Sequence, residues 1–557
     1  MHDDTKFHAC DSFECHTWEA SDEALSEQPI VRKFHQIVLW PLQLVSNDCK
    51  AASQGFHTIL EEMGNSPWTS QGDKFGGAEE QFGERHYREF ISFLPHVQRF
   101  IYGDSRGAGA NGELRPGDIS MRVYQRHDIK RVRVKTSPDD APVICDVLHT
   151  GLFFFYDVDA VILVCEITAE NIPLNIAQKL MQRFGRAYPA GWRQDGRPIH
   201  CPVLVEWLGD DDKVLATSDY HVRERYLRFV EERRASCIAS HWEFFLAPIV
   251  NDASDTPGAL RIREIEYYRM PVMAYIALED LKVLRKTDYI SLSLATSPPP
   301  RDKETLPFSE RFLQRFETHH KYERLYAGGL DAPGIETRFL TCGEAFTIVS
   351  AGVSDSMNDL ERGLLSQFRH QYFLLFLIAH FHKSSLLMIS DRMVGWIKRL
   401  EPLVPESVQA FRDGIFKLQE NFLRFSQRYY FTQISGRSHI RDMFHMVREH
   451  LVIDQLHEEV RSEITDMVHY LDSNTLRKQS GSMHRLTVVT ILGMIGTIAT
   501  GFLGMNLLAE AESPFSMKAV YFGIVTLIAG GLTVFSLVFS GPISRFFEKV
   551  SGDERKK

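Results

Sequence analysis

Two long uncharged stretches near the C-terminus constrain this chain more than any other feature of its sequence. Residues Leu486–Leu508 read LTVVTILGMIGTIATGFLGMNLL, and residues Ala519–Phe539 read AVYFGIVTLIAGGLTVFSLVF. Neither stretch contains Asp, Glu, Lys or Arg. A helix needs about 20 predominantly apolar residues to cross a bilayer, so both stretches predict transmembrane helices. The alternative is a pair of helices buried in a soluble core.

The charges that flank these two spans predict their orientation. The basic residues before the first span and after the second are Arg477, Lys478, Arg485, Arg545, Lys549, Arg555, Lys556 and Lys557. The linker 509–518 instead carries Glu510 and Glu512 against Lys518. Because basic residues stay in the cytoplasm, we expect a multi-pass protein of the plasma (inner) membrane with both termini cytoplasmic and an external acidic loop. The first residues show no signal-peptide pattern, so we expect the hairpin to be the membrane anchor.

The rest of the chain has the composition of a globular protein. Hydrophobic residues make up 44% and charged residues 24%, and the mean hydropathy of −0.20 hides the two spans. The net charge of −10 argues against nucleic acid as a partner. The eight cysteines form no CxxC pair, which favours a reducing compartment. Residues 1–30 are polar and acidic and predict a mobile tail.

Residues 31–352 are predicted to form a cytoplasmic α/β domain. Strand-like runs are Met121–Tyr124, Val143–Leu148, Leu152–Tyr156, Ala160–Ile167, Val203–Trp207, Val272–Leu278 and Phe346–Ala351. Helical patterns over Pro173–Ala187 and Tyr220–Phe245 predict helices that cross between strands. The region contains no GxSxG, P-loop or HExxH motif. We therefore expect neither an enzyme nor a bound cofactor.

Residues 359–434 are predicted to form two antiparallel helices, Asp359–Leu400 and Glu406–Ile434. The apolar run Tyr372–Ala379 within the first is too short to span a membrane, so we expect it to be buried. Residues 438–485 predict a stalk helix that begins at Ser438 and continues without a break into the first span. A break near Ser473–Gly481 is the alternative. Residues 540–557 form a basic cytoplasmic C-terminus.

A short motif closes the first span. The span ends in Gly504-Met505-Asn506, nineteen residues after Ser480-Gly-Ser-Met483-His-Arg-Leu486-Thr487. This arrangement, followed by a short acidic loop and a second span, resembles the CorA family of divalent-metal ion transporters. The resemblance is clear over residues 438–557. Leu503, Ile495 and Ser480 differ from the family pattern and leave the ion preference open.

The resemblance implies a homopentamer with an axial pore lined by the first span. Gly504, Met505 and Asn506 would form the selectivity filter, with the Asn506 side-chain oxygen facing a hydrated ion. Six residues recur at spacings of three or four and share one helix face, so we predict that they line the pore: Met483, Leu486, Thr490, Met494, Thr497 and Gly501. Glu510 and Glu512 could concentrate cations at the external mouth.

The expected function is passive influx of Mg²⁺, with Co²⁺ and Ni²⁺ as further candidates, driven by the membrane potential. The expected partners are the lipid bilayer, further copies of the chain and the transported divalent ion. Two alternatives stay open. One is a zinc-selective relative of the same family, and the other is a membrane-anchored sensor or scaffold that conducts nothing.

Overall fold

A computed structural model describes most of the chain. The described residues are 28–45, 59–60, 66–70, 84–103, 120–155, 158–266, 268–299, 306, 308–322, 337–351, 358–360, 362–401, 404–509, 514–517, 519–521, 523–525, 527–528, 530–531 and 535. Some side chains within the helices, among them those of 474–482 and 502–509, also lie outside the description. The predicted tail therefore falls almost wholly outside it, and the predicted basic C-terminus, 540–557, falls wholly outside it.

Fourteen strands in the described part of the chain form one mixed sheet. They are β1 (Ile30–Val45), β2 (Trp68–Ser70), β3 (Met121–Arg126), β4 (Arg131–Lys135), β5 (Val143–Phe155), β6 (Ala160–Pro173), β7 (Leu204–Leu208), β8 (Val214–Thr217), β9 (Val250–Asn251), β10 (Arg261–Glu264), β11 (Val272–Leu278), β12 (Lys321–Tyr322), β13 (Thr337–Thr341) and β14 (Ala345–Ala351). The main order is β12-β13-β14-β11-β1-β6-β5-β4-β7-β8. All pairings are antiparallel except β11 with β14 and β9 with β10.

The described helices surround this sheet or follow it in the chain. They are α1 (Glu84–Phe90), α2 (Pro95–Tyr102), α3 (Leu174–Arg183), α4 (Arg223–Arg233), α5 (Ser240–Leu246), α6 (Lys286–Leu294), α7 (Glu310–His320), α8 (Leu364–Lys398), α9 (Pro405–Arg428), α10 (Ser438–His450) and α11 (Ile453–Ala509). The predicted combination of a sheet domain with long helices is confirmed at this level. The sequence predicted helices that cross between strands, and the observed sheet is largely antiparallel.

The sheet is covered on both faces, which explains why its central strands are almost continuously apolar. On one face, Trp40 of β1 packs edge-on against Trp242 of α5, with ring centroids 6.2 Å apart. On the other, Phe155 of β5 stacks on Phe381 of α8 at 4.0 Å. Side chains alternate between the faces of a strand, so each inner strand supplies both layers. Sequence reasoning missed β1 because its run of apolar residues lacks the alternation of a half-exposed strand.

Helix α8 is the core helix of the second layer. By length and composition it is the one helix among the described residues that could cross a membrane, with a mean hydropathy of 1.5. However, 83% of its most apolar 18-residue stretch is buried within the chain itself. The helix packs on β1 and β6. Tyr372–Ala379 lies in this buried part, as the sequence predicted.

Two predicted elements differ from those observed. The runs predicted as Val143–Leu148 and Leu152–Tyr156 fall in one strand, β5, which ends at Phe155 and contains a register shift between Val147 and His149. Tyr156 lies outside the described residues. The single helix predicted over Tyr220–Phe245 is two helices, α4 and α5, because Arg234 adopts a left-handed conformation with φ 54° and ends α4. Local apolar spacing does not reveal a single residue at positive φ.

The long helix predicted from Ser438 is also interrupted, so the stalk prediction for 438–485 needs correction. Helix α10 ends at His450, and α11 begins at Ile453 and then continues through residue 509. Val452 between them has a φ of 55°, and its N–H donates to the Glu449 carbonyl. The backbone thus closes one helix and starts another. The predicted alternative break near Ser473–Gly481 is absent from this described helix backbone.

Replacing Val452 with glycine should stabilise the protein by about 1 kcal/mol, because a β-branched residue is strained at positive φ and glycine is not. Val452 is half exposed, so little packing is lost. A urea titration followed by tryptophan fluorescence measures the change. The matched control is Val230→Gly on the exposed face of α4, which should lose about 0.5–1 kcal/mol because that backbone is helical. A loss of stability in Val452→Gly would contradict the strain argument.

The chain divides into two compact units. One comprises Met1–Arg399 with Lys417–Val460 and contains the sheet. The other comprises Leu400–Phe416 with Arg461–Lys557 and contains both predicted spans.

Candidate functional site

The first predicted span lies within α11, whose backbone is helical from Ile453 to Ala509. Residues 486–508 therefore satisfy their backbone hydrogen bonds inside the segment, as a bilayer requires. The side chains of this stretch carry no charge. Its helical backbone and its lack of charge agree with the predicted span, which stays a prediction.

All six predicted pore-lining residues are exposed in the single chain. The large side chains among them are the most open, at 71% for Met483, 66% for Leu486 and 58% for Met494. At 3.6 residues per turn the six positions fall within an arc of about 80° on the helix. Val488 and Val489 lie outside that arc and are partly covered. The predicted pore face is thus a face that the chain itself leaves uncovered.

The threonine hydroxyls of this helix are bonded to its own backbone. Each donates to the carbonyl four residues earlier, in the pairs Thr487–Met483 (2.9 Å), Thr490–Leu486 (2.8 Å), Thr497–Gly493 (2.8 Å) and Thr500–Gly496 (2.9 Å). A hydroxyl has one hydrogen to donate and two lone pairs. Thr490 and Thr497, on the exposed face, therefore offer acceptors to whatever lies beside the helix. Acceptors of this kind can bind the hydrogens of the water molecules around a cation, because those hydrogens point away from the ion.

Glycine leaves further space along this helix. A Cβ atom added to Gly493 or Gly501 would meet nothing within 4 Å. Small residues of this kind let the backbones of neighbouring membrane helices approach closely. Gly501 lies on the exposed face, where a second copy of the helix could approach.

The predicted filter and loop fall outside what the structure describes in side-chain detail. The backbone of Gly504, Met505 and Asn506 continues α11, but their side chains are not described. Glu510 and Glu512 lie outside the described residues altogether. The roles predicted for these five residues stay predictions.

The second predicted span is described in part, and its described residues are helical. Most of its described large apolar side chains are exposed, including Leu527 at 77% and Ile528 at 58%. Phe515, just before the span, is 86% exposed. Contiguous exposed apolar side chains mark surfaces that meet lipid or another protein. This contrasts with α8, whose apolar residues are buried by its own sheet.

A buried arginine that sequence reasoning missed fixes the start of α11. The Arg448 guanidinium donates to the Phe431 carbonyl (2.6 Å), to the Tyr430 hydroxyl (2.9 Å) and to Asp454 in the first turn of α11. The Tyr430 hydroxyl also donates to Asp454 (2.5 Å). Burial would raise the pKa of Asp454, but the bonds from Tyr430 and Arg448 outweigh it and lower the pKa.

The sequence gave only a weak indication of this group of Arg448, Tyr430 and Asp454. Arg448 directly follows Val447, one of the regularly spaced apolar residues of α10. Asp454 is one of the acidic residues of the predicted stalk, and its carboxylate is bound by an arginine. Among the residues that the structure describes, no group of three or more His, Cys, Asp or Glu side chains is placed to hold a metal ion.

Comparisons with known proteins give little more. No family model matches the chain, and no curated protein matches it. A solved structure of the full-length CmaX protein is similar. It is 14% identical, the match covers 48% of this chain and 86% of that chain, and the TM-score is 0.16. A likeness this weak supports no argument about fold or function, so membership of the CorA-like family stays a prediction.

Proposed function

We propose that the protein is a CorA-like channel for divalent cations, through which Mg²⁺ and related ions pass inward along an axial pore lined by residues 486–508. The observation that carries this proposal is the uncharged face of α11 that the chain leaves exposed, with Met483, Leu486 and Met494 each more than half open. Apolar side chains on a long helix need lipid or another copy to cover them. The sequence resemblance supplies the family and the pentamer.

The chemistry of that face suits an ion that keeps its water. Mg²⁺ dehydrates reluctantly and commonly retains several water molecules. The lone pairs of Thr490 and Thr497 would accept hydrogen bonds from those waters, while the three large apolar side chains would form narrow dry rings that close the pore by dewetting. At the external mouth, the Asn506 side-chain oxygen would likewise accept hydrogen bonds from the waters around the ion.

The driving force would be the membrane potential. Two positive charges crossing 100 mV gain about 4.6 kcal/mol, twice the ~2.3 kcal/mol for one charge. No covalent step and no bound cofactor is needed. The proposed topology has both termini in the cytoplasm of a plasma (inner) membrane protein, with residues 509–518 outside.

Flux into proteoliposomes tests the proposal. Purified protein in vesicles loaded with a Mg²⁺-sensitive dye should admit Mg²⁺ under an inward gradient and a negative interior potential. Asn506→Ala should reduce the initial rate at least about tenfold while the oligomer persists, because the filter would lose its ring of side-chain oxygens. Asn421→Ala on α9 is the matched control and should conduct like the wild type.

The other outcomes separate the alternatives. Zn²⁺ entry without Mg²⁺ entry would assign the protein to the zinc-selective alternative. If the wild type admits no divalent ion although it is correctly inserted and oligomeric, the channel proposal fails and a non-conducting scaffold remains.

A further inference from the structure

A cavity unrelated to the proposed pore lies in the sheet-containing unit, between α7 and the end of α10. Its volume is about 450 Å³. That size falls within the range of 300–1,000 Å³ that is usual for small-molecule sites. Its lining combines aromatic rings, arginines and one carboxylate, and the proposed function uses none of them.

One wall of the cavity is a fixed stack of rings. The His320 ring lies 4.9 Å from Phe316 and 4.5 Å from His450, with interplanar angles of 16° and 19°. Nδ1 of His320 donates to the Thr341 carbonyl at 2.8 Å, and Nε2 of His450 donates to the His319 carbonyl at 2.7 Å. A carbonyl only accepts, so each hydrogen bond fixes both the orientation and the tautomer of its ring.

Two further contacts hold this wall in place. The Phe312 ring lies 5.8 Å from His320 and adds a further aromatic group to the lining of the cavity. Behind the stack, the turn at Gly343 (φ 85°) approaches His450 so closely that an added Cβ would lie 3.1 Å from the His450 Cβ. The wall is therefore rigid before any ligand arrives, which lowers the entropic cost of binding a planar group.

The positive charge of the cavity comes from two arginines. Arg311 and Arg315 are exposed and lie one turn apart on α7, so their side chains are neighbours. Within the described part of the chain neither guanidinium takes part in an ion pair. Burial, with the nearby His450 and His319, lowers the pKa of His320, which is therefore neutral at neutral pH. Paired guanidinium groups bind phosphate oxygens through parallel hydrogen bonds.

We propose that this cavity binds a nucleotide. The phosphates would lie against Arg311 and Arg315, and the base would stack on the outer face of the His450 ring, at the end of the stack, and contact Phe312. The ribose hydroxyls would donate to Glu449, the role that an acidic residue has in other nucleotide sites. An inorganic polyphosphate would use the arginines alone and would gain nothing from the rings or from Glu449.

Calorimetric titration of the full-length protein in detergent, with EDTA present, tests the site directly. ATP should bind, and tripolyphosphate should bind at least about tenfold more weakly because it lacks the stacking base. The double variant Arg311→Ala/Arg315→Ala should weaken ATP binding at least about tenfold. The variant Phe312→Leu should weaken ATP binding and leave tripolyphosphate binding unchanged.

The matched control is Arg223→Ala/Arg234→Ala, which removes two exposed arginines from the region of α4 and should leave the affinity for ATP unchanged. Far-ultraviolet circular dichroism of each variant verifies folding. Absence of ATP binding to the wild type, equal affinity for ATP and tripolyphosphate, or an unchanged affinity in the Arg311/Arg315 variant would each overturn the proposal. The titration involves no ion flux, so its result is independent of whether the pore conducts.

Discussion

Glu166→Gln should destabilise the folded protein by about 3–5 kcal/mol, the usual effect of breaking a buried ion pair. Glu166 on β6 is bound by both arms of Arg369 on α8, through Nε at 2.5 Å and Nη2 at 2.9 Å. Their side chains are only 5% and 16% exposed. Glutamine would keep the shape but leave the Arg369 charge buried without a counter-charge between the sheet and its covering helix.

The same pair shapes the pKa of Glu166. Burial alone would raise it, but the interactions with His35 and Arg369 outweigh burial and lower it to about 2. A carboxylate with a lowered pKa stabilises the folded state at every pH above its unfolded value near 4.5. That contribution is lost as the pH falls from there toward 2. The deficit of Glu166→Gln should therefore be constant above about pH 5.

Urea unfolding at neutral pH measures the effect. The matched control is Glu279→Gln, which makes the same change in the exposed pair with Arg32 and should cost less than about 1 kcal/mol. The double variant Glu166→Leu/Arg369→Met removes both charges and should regain much of the loss. A Glu166→Gln protein as stable as Glu279→Gln would show that the pair does not anchor α8.

Mild acid should destabilise the sheet-containing unit steeply, by about 4 kcal/mol per pH unit between about pH 4 and 6. Three fully buried histidines produce this slope: His241, His380 and His382. Burial lowers the pKa of each to about 3, with a further contribution from Lys383 at His380 and from Arg448 at His382. Each group contributes about 1.4 kcal/mol per pH unit.

The sign follows from proton binding. Between pH 6.5 and 3 the unfolded chain binds one proton at each of these histidines and the folded chain does not. Stability is therefore fully present above pH 6.5 and falls as the pH drops. The Glu166 contribution changes only below about pH 4.5, so above that pH the slope comes from the histidines alone.

His241→Phe tests this assignment because the ring already sits among Tyr220, Trp207 and Trp242, with centroids 5.1, 6.4 and 5.2 Å away. The substitution should reduce the slope by about a third. His221→Phe, on the surface, controls for the exchange of residue types. Urea midpoints from pH 7 to 4.5 give the slope. An unchanged slope in His241→Phe would show that His241 does not contribute to the pH dependence of stability.

Part of the fold could be predicted from residue patterns because those patterns are local. The strand predicted as Val272–Leu278 is β11 with the same bounds, since turn residues on either side limit its apolar run. The helical stretch 486–508 was predicted because none of its residues is charged, which can be read directly from the sequence. The position of Val452 was not predictable, because a single residue at positive φ leaves no pattern in the local spacing of apolar residues.

The sequence by itself determined that several segments need an apolar environment: the predicted strands of the sheet, the buried run in α8 and the two uncharged stretches. It could not determine what would cover each of them. Tertiary structure decided that α8 is covered by the sheet of its own chain, whereas Leu486, Ile491 and Met494 in the first uncharged stretch stay exposed. It also brought Arg369 to Glu166 and the rings of α7 to His450, contacts between residues more than a hundred positions apart. Hydrophobicity is a property of each residue, but burial and ion pairing depend on which distant residues the fold brings together.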